Sequence, residues 1–567
     1  MANAIWRVNV NNQTITTEPI PESWQRLGGR ALIPRILLDE IPPTCEPLGP
    51  FNKLLFVPGL LVGHMLSSCD RISVGSKSPL TGGIKESNAG GTIGLKIARL
   101  GMKSLIIEGV PANEGWWTLY LNKDGGRFES ADELIGLGVQ DSATCLREQY
   151  GEKVALALIG PAGEMLMASA GIQNLDKDGN PTRIAARGGL GAVMGSKRLK
   201  AIVIDATDTT APPLTDEELY KDAKNRYIKS LLAHPQTKVY SDYGTVAVAM
   251  MAQEFGALPT RNFSEGQFEH IEKINGDTIR DTILARGGEG QTTHACMAGC
   301  VIRSSNCFPD PNGKKMVTPL EYETVGMVGS NLGIDSLDTI AKLNNEMNDL
   351  GIDSIEIGAA LGVAVEAGLM EFGDGDRAME LVNEIRQGTP LGRILGQGAS
   401  AVGKVYSVIR VPTVKGQAFS AYDPRALKGT GITYATSPQG ADHTCGLTIR
   451  AQVDHLSPKG HKKVSLGAQI NMAGFDTLGS CLFAGFGYAT APGAIRDLLR
   501  GQYGWDLGED ALQVLGRQTL DLEREFNKAA GFTRADDRLP EWMTIEPLPP
   551  TNAVFDVSEE DLDGVFS

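Results

Sequence analysis

Three cysteines crowd into one short run, THACMAGCVIRSSNCF at residues 293–308. Cys296 and Cys300 have C-x3-C spacing, and Cys307 follows seven residues later. Thiolates are soft donors that suit zinc or iron–sulfur clusters, and closely spaced cysteines on a turn can wrap one centre. A cluster takes a further ligand from a distant segment, and Cys481 in GFDTLGSCLF is the candidate. Free cysteines are also common core residues, so spacing alone leaves an inert cluster of thiols and a zinc knuckle open. The chain holds eight cysteines and shows no export signal, so a disulfide framework is not expected.

Glycine-rich loops form a second group. SPLTGGIKESNAGGTIG (78–94), GPAGE (160–164) and RIAARGGLGAVMGSK (183–197) each neighbour a strand-like run. Successive backbone N–H groups in such loops form concave anion sites, and Arg71, Arg183 and Arg187 add charge nearby. None is a GxGxxG or Walker loop, so a standard dinucleotide or ATP site is not indicated. Glu321 and Glu323 in LEYETVG, Tyr422 in AYDPR and Asp442–His443 in SPQGADH could exchange protons from turns or helix starts. Together these residues describe a metal-binding enzyme with phosphate-holding loops.

The elements that must position them change character along the chain. IWRVNV (5–10), LLFV (54–57), SLIIEG (104–109), VALALIG (154–160) and AIVID (201–205) read as strands bounded by turn residues. TDTTAPPLT (207–215) reads as a linker. Helical patterns follow. Thr215 and Glu218 form a capping box ahead of Leu219, Ala223, Ile228 and Leu231, while Ser336–Leu350 stops at Gly351 and Leu512–Phe526 runs toward Gly531. No internal repeat stands out. The expected class is α+β, a β-rich N-terminal domain (1–208) followed by two mainly helical domains (209–415 and 416–567).

With 567 residues the chain is long enough for about two to four domains. A net charge of −15 disfavours a nucleic-acid partner, which calls for clustered Lys and Arg. The most apolar stretch, Leu54 to Leu66, is too short to span a bilayer, so neither a membrane nor an export signal is expected and a cytoplasmic location is the default.

At these residues the chain resembles the aldehyde ferredoxin oxidoreductase family of tungsten-pterin enzymes. The resemblance is carried in order by GGRAL (28–32), RISVGSKSPLTGGIKESNAGG (71–91), GPAGE, ARGGLGAVMGSKRLKAI (186–202), EYETVGMVGSNLGI (321–334), TYATSPQGADH (433–443) and DTLGSC (476–481). It implies that the β-rich domain forms the base for a tungsten or molybdenum bis-pterin cofactor, closed over by the helical domains. It implies a magnesium ion at the pterin phosphates, near Asn88, Gly90, Gly91, the backbone around Ala185, and the loop residues Arg183, Arg187 and Gly188. Arg71 matches the arginine between cluster and pterin. Two pterin-contacting motifs map to Asp476–Gly479–Ser480–Cys481 and to Asn348–Gly351–Asp353, the latter with Asn where the family often has Asp.

The resemblance also implies one 4Fe-4S cluster. Cys296, Cys300 and Cys481 match its ligands, but the expected remaining position is Ser304. Cys307 is expected to supply the missing thiolate, with Ser304 as the alternative. The implied activity is oxidation of a small-molecule aldehyde to a carboxylic acid, with electrons leaving to ferredoxin or an iron–sulfur partner subunit. Glu323 would be the base, His443 would bind the carbonyl oxygen, and Tyr422 would be a second donor. Alternatives are a reductive or aromatic-acid reaction inside a larger complex, and a non-enzymatic electron relay. A homodimer is compatible with this reading.

Overall fold

In the first half of the chain, apolar side chains on alternate positions find a common core because successive residues of a strand point to opposite faces. The computed structural model describes residues 3–112 and 114–567. The hairpin β1 (Ala4–Asn9)–β2 (Thr14–Glu18) is followed by the helix Gly29–Glu40, then β3 (Leu54–Pro58), β4 (Ile72–Lys77) and β5 (Ile84–Ala89). The short helix Ile93–Arg99 leads into β6 (Met102–Glu108). The wiring then repeats. The hairpin β7 (Trp117–Asn122)–β8 (Gly125–Ser130), the helix Val139–Tyr150, β9 (Ala155–Leu158), β10 (Ile172–Asn174), β11 (Arg183–Ala185), the helix Leu190–Ser196 and β12 (Leu199–Asp205) follow in the same sequence.

The sheet orders match as well. The first is β2-β1-β6-β3-β4-β5 and the second, read from the other end, is β8-β7-β12-β9-β10-β11. In each sheet one pair is parallel, β1 with β6 and β7 with β12. Residues 4–108 and 117–205 are thus two copies of one topology, a repeat that the sequence does not advertise. Both contribute to one core, with Trp6, Leu105 and Ile107 from the first copy packed with Leu119, Leu156 and Ile202 from the second. The β-rich expectation, and all five strand runs named from sequence, are met.

Beyond Asp205 the chain is largely helical, among the described residues no helix is long and apolar enough to cross a membrane, and a small sheet β13 (Gln291–His294), β14 (Ser305–Pro309), β15 (Lys315–Val317) carries the cysteine loop. The helix Glu217–Ala233 is capped by Asp216, whose side chain accepts from the Leu219 N–H, one residue later than the expected Thr215 cap. Its buried face is Tyr220, Ala223, Tyr227 and Leu231, since aromatic rings reach further into the core than the aliphatic face expected.

Apolar contacts cross the expected division at residue 415. One apolar cluster joins Leu332, Leu350 and Leu361 with Ala418, Tyr434 and Leu548. Another joins Tyr220, Tyr227 and Leu231 with Phe475, Leu498 and Leu515.

The helices dock on the two sheet copies in the same way. Gly479, at φ +79°, ends the helix His461–Leu478, and Gly351, at φ +71°, ends the helix Leu337–Leu350. A left-handed residue at this place is the usual helix stop and favours glycine. The Arg71 N–H donates to Gly479 O (3.1 Å) and Gly171 N–H to Gly351 O (2.9 Å). Cys481 N–H donates to Ser68 O (2.7 Å) and Asp353 N–H to Ser169 O (2.9 Å). A Cβ on Gly59 would lie 2.1 Å from Gly479 N, and one on Gly160 would lie 2.3 Å from Leu350 O. Backbone meets backbone at both contacts, and the side chains that follow each helix stop are aimed at the space between.

Candidate active site

The ends of β5 and β11, the two helix stops and the cysteine loop enclose one cavity of about 350 Å³. Arg71, Asn88, Gly90, Arg183 and Arg187 line it on the side of the sheets, and Asp476 from the end of the helix His461–Leu478. Glu323, Asn348, Asp353 and His443 line it from the helical side, and Cys296, Ser304 and Cys481 form one wall.

Arg71 reaches along β5 to Asn88, with Nε on Asn88 Oδ1 and Nη2 on the Asn88 carbonyl (3.2 Å). Burial opposes its charge, but Cys481, Cys296, Asp476 and Glu86 hold its pKa above the ordinary value. Asn88 turns its amide to Ser73 Oγ (3.3 Å) and Glu86 Oε1 (3.2 Å). Asp476 accepts from Arg30 Nη1 (3.2 Å), and Arg30 is clamped in turn by Glu523 at 2.8 and 2.9 Å. Burial and the Glu86 carboxylate push Asp476 up against the pull of Arg30 and Arg71.

On the other side, Arg187 joins three segments. It donates to Asp353 Oδ2 (3.2 Å), Ser420 Oγ (3.2 Å), Ala441 O (2.8 Å) and Ala418 O (2.6 Å). Lys85 on β5 meets Asp442 at 3.0 Å, with both side chains buried. Burial alone would raise Asp442, but Lys85, Arg187 and His443 hold its carboxyl far below the usual range. Lys85 lies inside the KESNAGG block, and a lysine in the middle of a buried strand was the available signal for this pair.

Glu323 sits in the short helical turn Tyr322–Thr324, and a π-turn at Val325–Gly329 follows directly. Such turns are frequent at functional sites, since the extra residue re-aims the side chains before it. Glu323 Oε2 accepts from Ala421 N–H (2.8 Å). Its Oε1 lies 3.2 Å from His443 Nε2, off the line of a good hydrogen bond, and both residues line the cavity. Burial raises the Glu323 pKa, partly offset by His443 and the Ala421 N–H. The Tyr422 ring packs beside His443 at 5.8 Å, behind the cavity wall. Ser420, whose Oγ is 2.8 Å from His443 Nδ1, was not anticipated from sequence.

The cysteine wall is assembled from three segments. Cys296 Sγ lies against Gly90, where an added Cβ would be 3.1 Å away. Cys300 Sγ is 3.6 Å from Ser68 Oγ, on the loop that also binds the Cys481 N–H. Burial pushes the Cys296 thiol up to about 12, and beside Arg183 the thiols of Cys300 and Cys481 also act on it. Cys307 is not brought to this wall. It sits on β14, opposite Gln291 of β13, with its thiol toward Thr318 and the charges of Lys315, Asp176 and Arg183 around it. Two strand residues, Ser305 and Asn306, separate it from Ser304, which lines the cavity with Cys296 and Cys481. A strand advances about 3.3 Å per residue, which sets Cys307 about 10 Å along the chain from Ser304.

The remaining expected positions lie next to the lining residues. Gly91 (φ +114°) has no room for a Cβ beside Asn174, and Gly188 (φ +82°) none beside Lys85. Ala185 ends β11, and Ser480 is buried against Cys69 and Tyr488. Three polar atoms on the cavity-lining residues, Thr182 Oγ1, Arg183 Nε and Glu323 Oε1, are buried without a partner. Orphaned groups of this kind are costly unless something polar fills the space.

Comparison with known proteins accords with this geometry. The family description "Aldehyde ferredoxin oxidoreductase, N-terminal domain" matches residues 5–206, and "domains 2 & 3" of the same family match residues 222–564. Tungsten-containing aldehyde ferredoxin oxidoreductase from Thermococcus kodakarensis is 31% identical over 96% of this chain and 91% of that protein. The enzyme of the same description from Pyrococcus furiosus gives the same figures. The aliphatic sulfonate oxidoreductase WOR-like subunit of Pyrococcus furiosus is 27% identical over 75% of this chain and 72% of that protein. Among solved structures, the BamBC active-site complex of benzoyl coenzyme A reductase superposes with a TM-score of 0.80 at 19% identity, covering 99% of this chain and 93% of that one. The chain belongs to the aldehyde ferredoxin oxidoreductase family.

Proposed function

We propose that this chain oxidises aldehydes to carboxylic acids at a tungsten or molybdenum bis-pterin centre and sends the electrons through one 4Fe-4S cluster to ferredoxin or an iron–sulfur partner subunit. The observation that carries the reading is the Glu323–His443 pair, a carboxylate and an imidazole 3.2 Å apart on the same cavity as Cys296 and Cys481. A base beside a proton donor suits chemistry at a carbonyl and has no use in a passive electron relay. A cytoplasmic location belongs to the same proposal.

The residues fit the implied groups. Arg183 and Arg187, with the backbone of Gly90, Gly91 and Gly188, suit anionic phosphates, and Asn88 with the Ala185 carbonyl suits a hydrated magnesium ion. Asn348 and Asp476 offer hydrogen bonds to the two pterin edges. Cys296, Cys300 and Cys481 suit iron, with Ser304 at the remaining place. When bound, the pterin-held metal supplies two-electron redox chemistry. The chain supplies the rest. Glu323 takes the proton from the attacking water or aldehyde hydrate, His443 Nε2–H donates to the carbonyl oxygen, and the Tyr422 hydroxyl stands behind them. Arg71 holds positive charge between the cysteine wall and the cofactor cavity.

The test is elemental analysis of anaerobically purified protein together with aldehyde-dependent dye reduction. Tungsten or molybdenum, iron and aldehyde-driven reduction are expected in the same sample. Glu323→Gln should retain all metals while kcat falls by ~10²–10⁴. Protein competent in fold but lacking both heavy metals, or an active E323Q enzyme, would overturn the proposal.

A further inference from the structure

We propose that Ser420 sets the position of the proton on His443, holding the neutral imidazole in the form that carries hydrogen on Nε2. The inference rests on the acid–base reading of Glu323 and His443.

A serine hydroxyl has one hydrogen to donate and two lone pairs to accept with. Ser420 is fully buried. Arg187 Nη1 lies 3.2 Å from Ser420 Oγ, and the His443 backbone N–H lies 3.4 Å from it. Neither of those groups can accept, so both lone pairs of the oxygen are committed. The third and shortest contact, at 2.8 Å, is to His443 Nδ1. The Tyr434 hydroxyl also lies beside Ser420 but makes no hydrogen bond of good geometry, so the hydroxyl hydrogen goes to Nδ1, which accepts. In a neutral imidazole the proton then resides on Nε2. Nε2 is the atom that faces Glu323 Oε1, and both residues line the cavity.

The opposing force is also visible. Asp442 Oδ1 lies 3.7 Å from Nδ1 and would favour a proton there. That oxygen is already held by the Thr444 N–H (3.0 Å) and hydroxyl (2.8 Å), while the other oxygen takes Lys85. Asp442 is therefore a poor competitor as long as the Ser420 hydroxyl is present. Without it, Asp442 becomes the nearest acceptor for an Nδ1 proton, and the Nε2 lone pair is left facing the Glu323 carboxylate.

Ser420 is rigid enough for this role. The backbone on either side is pinned by Arg187 on Ala418 O (2.6 Å), by the Ala421 N–H on Glu323 Oε2 (2.8 Å) and by the Tyr322 hydroxyl on Ala421 O (2.6 Å). One short segment thus mounts both members of the catalytic pair, the glutamate through a backbone N–H and the histidine through the serine hydroxyl.

The experiment is ¹⁵N NMR of the holoenzyme with ring-labelled histidine, the His443 signals being assigned by their loss in His443→Gln. The wild type should show a protonated Nε2 and an accepting Nδ1. In Ser420→Ala the pattern should reverse or become doubly protonated, with metal content unchanged, KM for aldehyde unchanged and kcat down ten- to a hundredfold. An unaltered Nε2–H pattern in S420A overturns the inference. An altered pattern with undiminished turnover leaves the proton assignment standing and defeats the acid–base reading instead.

Discussion

Replacing Lys85 by Met tests the electrostatic frame on which His443 is mounted. Lys85 and Asp442 are buried, 3.0 Å apart, and Asp442 is covalently next to His443. Removing one member of a buried pair typically costs about 3–5 kcal/mol, because the other is left charged and uncompensated. Arg187 remains 3.8 Å from Asp442 in the variant, which places the expected loss at the lower end, ~3 kcal/mol. At about 2.1 cal/mol/K per residue, a chain of 567 residues unfolds with roughly 1.2 kcal/mol/K, so Tm should fall by about 2–3 °C. Asp442 has a depressed folded pKa, so its stabilisation is present above its unfolded value and is lost only as pH falls through the folded one. The pair therefore persists at any working pH, and the deficit of Lys85→Met should be constant from pH 6 to 8. The assay is scanning calorimetry on wild type, K85M, Asp442→Asn and the double variant, matched for metal content. The double variant should recover at least ~1 kcal/mol relative to the sum of the singles. A K85M enzyme within half a degree of wild type, or strict additivity, would refute the assignment of the pair as a coupled unit.

Three other outcomes follow from the geometry. Cys307→Ala should leave iron per chain and the electron paramagnetic resonance spectrum of the reduced protein unchanged, whereas Ser304→Ala should lower the iron content or alter the spectrum; the reverse result would restore Cys307 as a ligand. Gly160→Ala places a Cβ 2.3 Å from Leu350 O and should destabilise by at least the ~1–3 kcal/mol usual for overpacking, read as a lowered denaturation midpoint. Glu356, buried beneath Arg187, has its pKa pushed up to about 7 by burial, against the pull of Arg187. A carboxyl raised in this way contributes stability below its unfolded pKa and loses it as pH rises through about 7, so Glu356→Gln should flatten the decline in stability between pH 5 and 8, by up to ~3 kcal/mol.

Much of the β-rich half was legible because its strands are short, apolar and punctuated by glycine, as in LLFV before Pro58–Gly59 and AIVID before the proline linker. The helix Leu337–Leu350 was equally plain, since Ser336 caps one end and Gly351 the other. The duplication was hidden because it lives in wiring and hydrogen bonds. Arg71 and Gly171 occupy equivalent places with unlike side chains, and the shared element is a backbone N–H. The packing of the helices was illegible for a related reason, as one apolar cluster holds Tyr220 and Leu498, residues far apart in the chain. Glu323 and His443 were found through resemblance, yet Ser420 was not, because a serine between Phe419 and Ala421 carries no pattern of its own. Cys307 was favoured because thiolate preference argues from chemistry alone, while its place on β14 sets it apart from the cysteine wall.

The two glycine contacts, Gly59 on Gly479 and Gly160 on Leu350–Gly351, have a consequence for how this architecture tolerates change. The height of the chamber is set where main chain rests directly on main chain, with no side chain between to grow, shrink or tilt. Mutation can remodel the walls and the helices above them without altering that spacing. A side chain at Gly59 or Gly160 would collide with that main chain, so both positions are closed to any residue larger than glycine unless the two layers move apart.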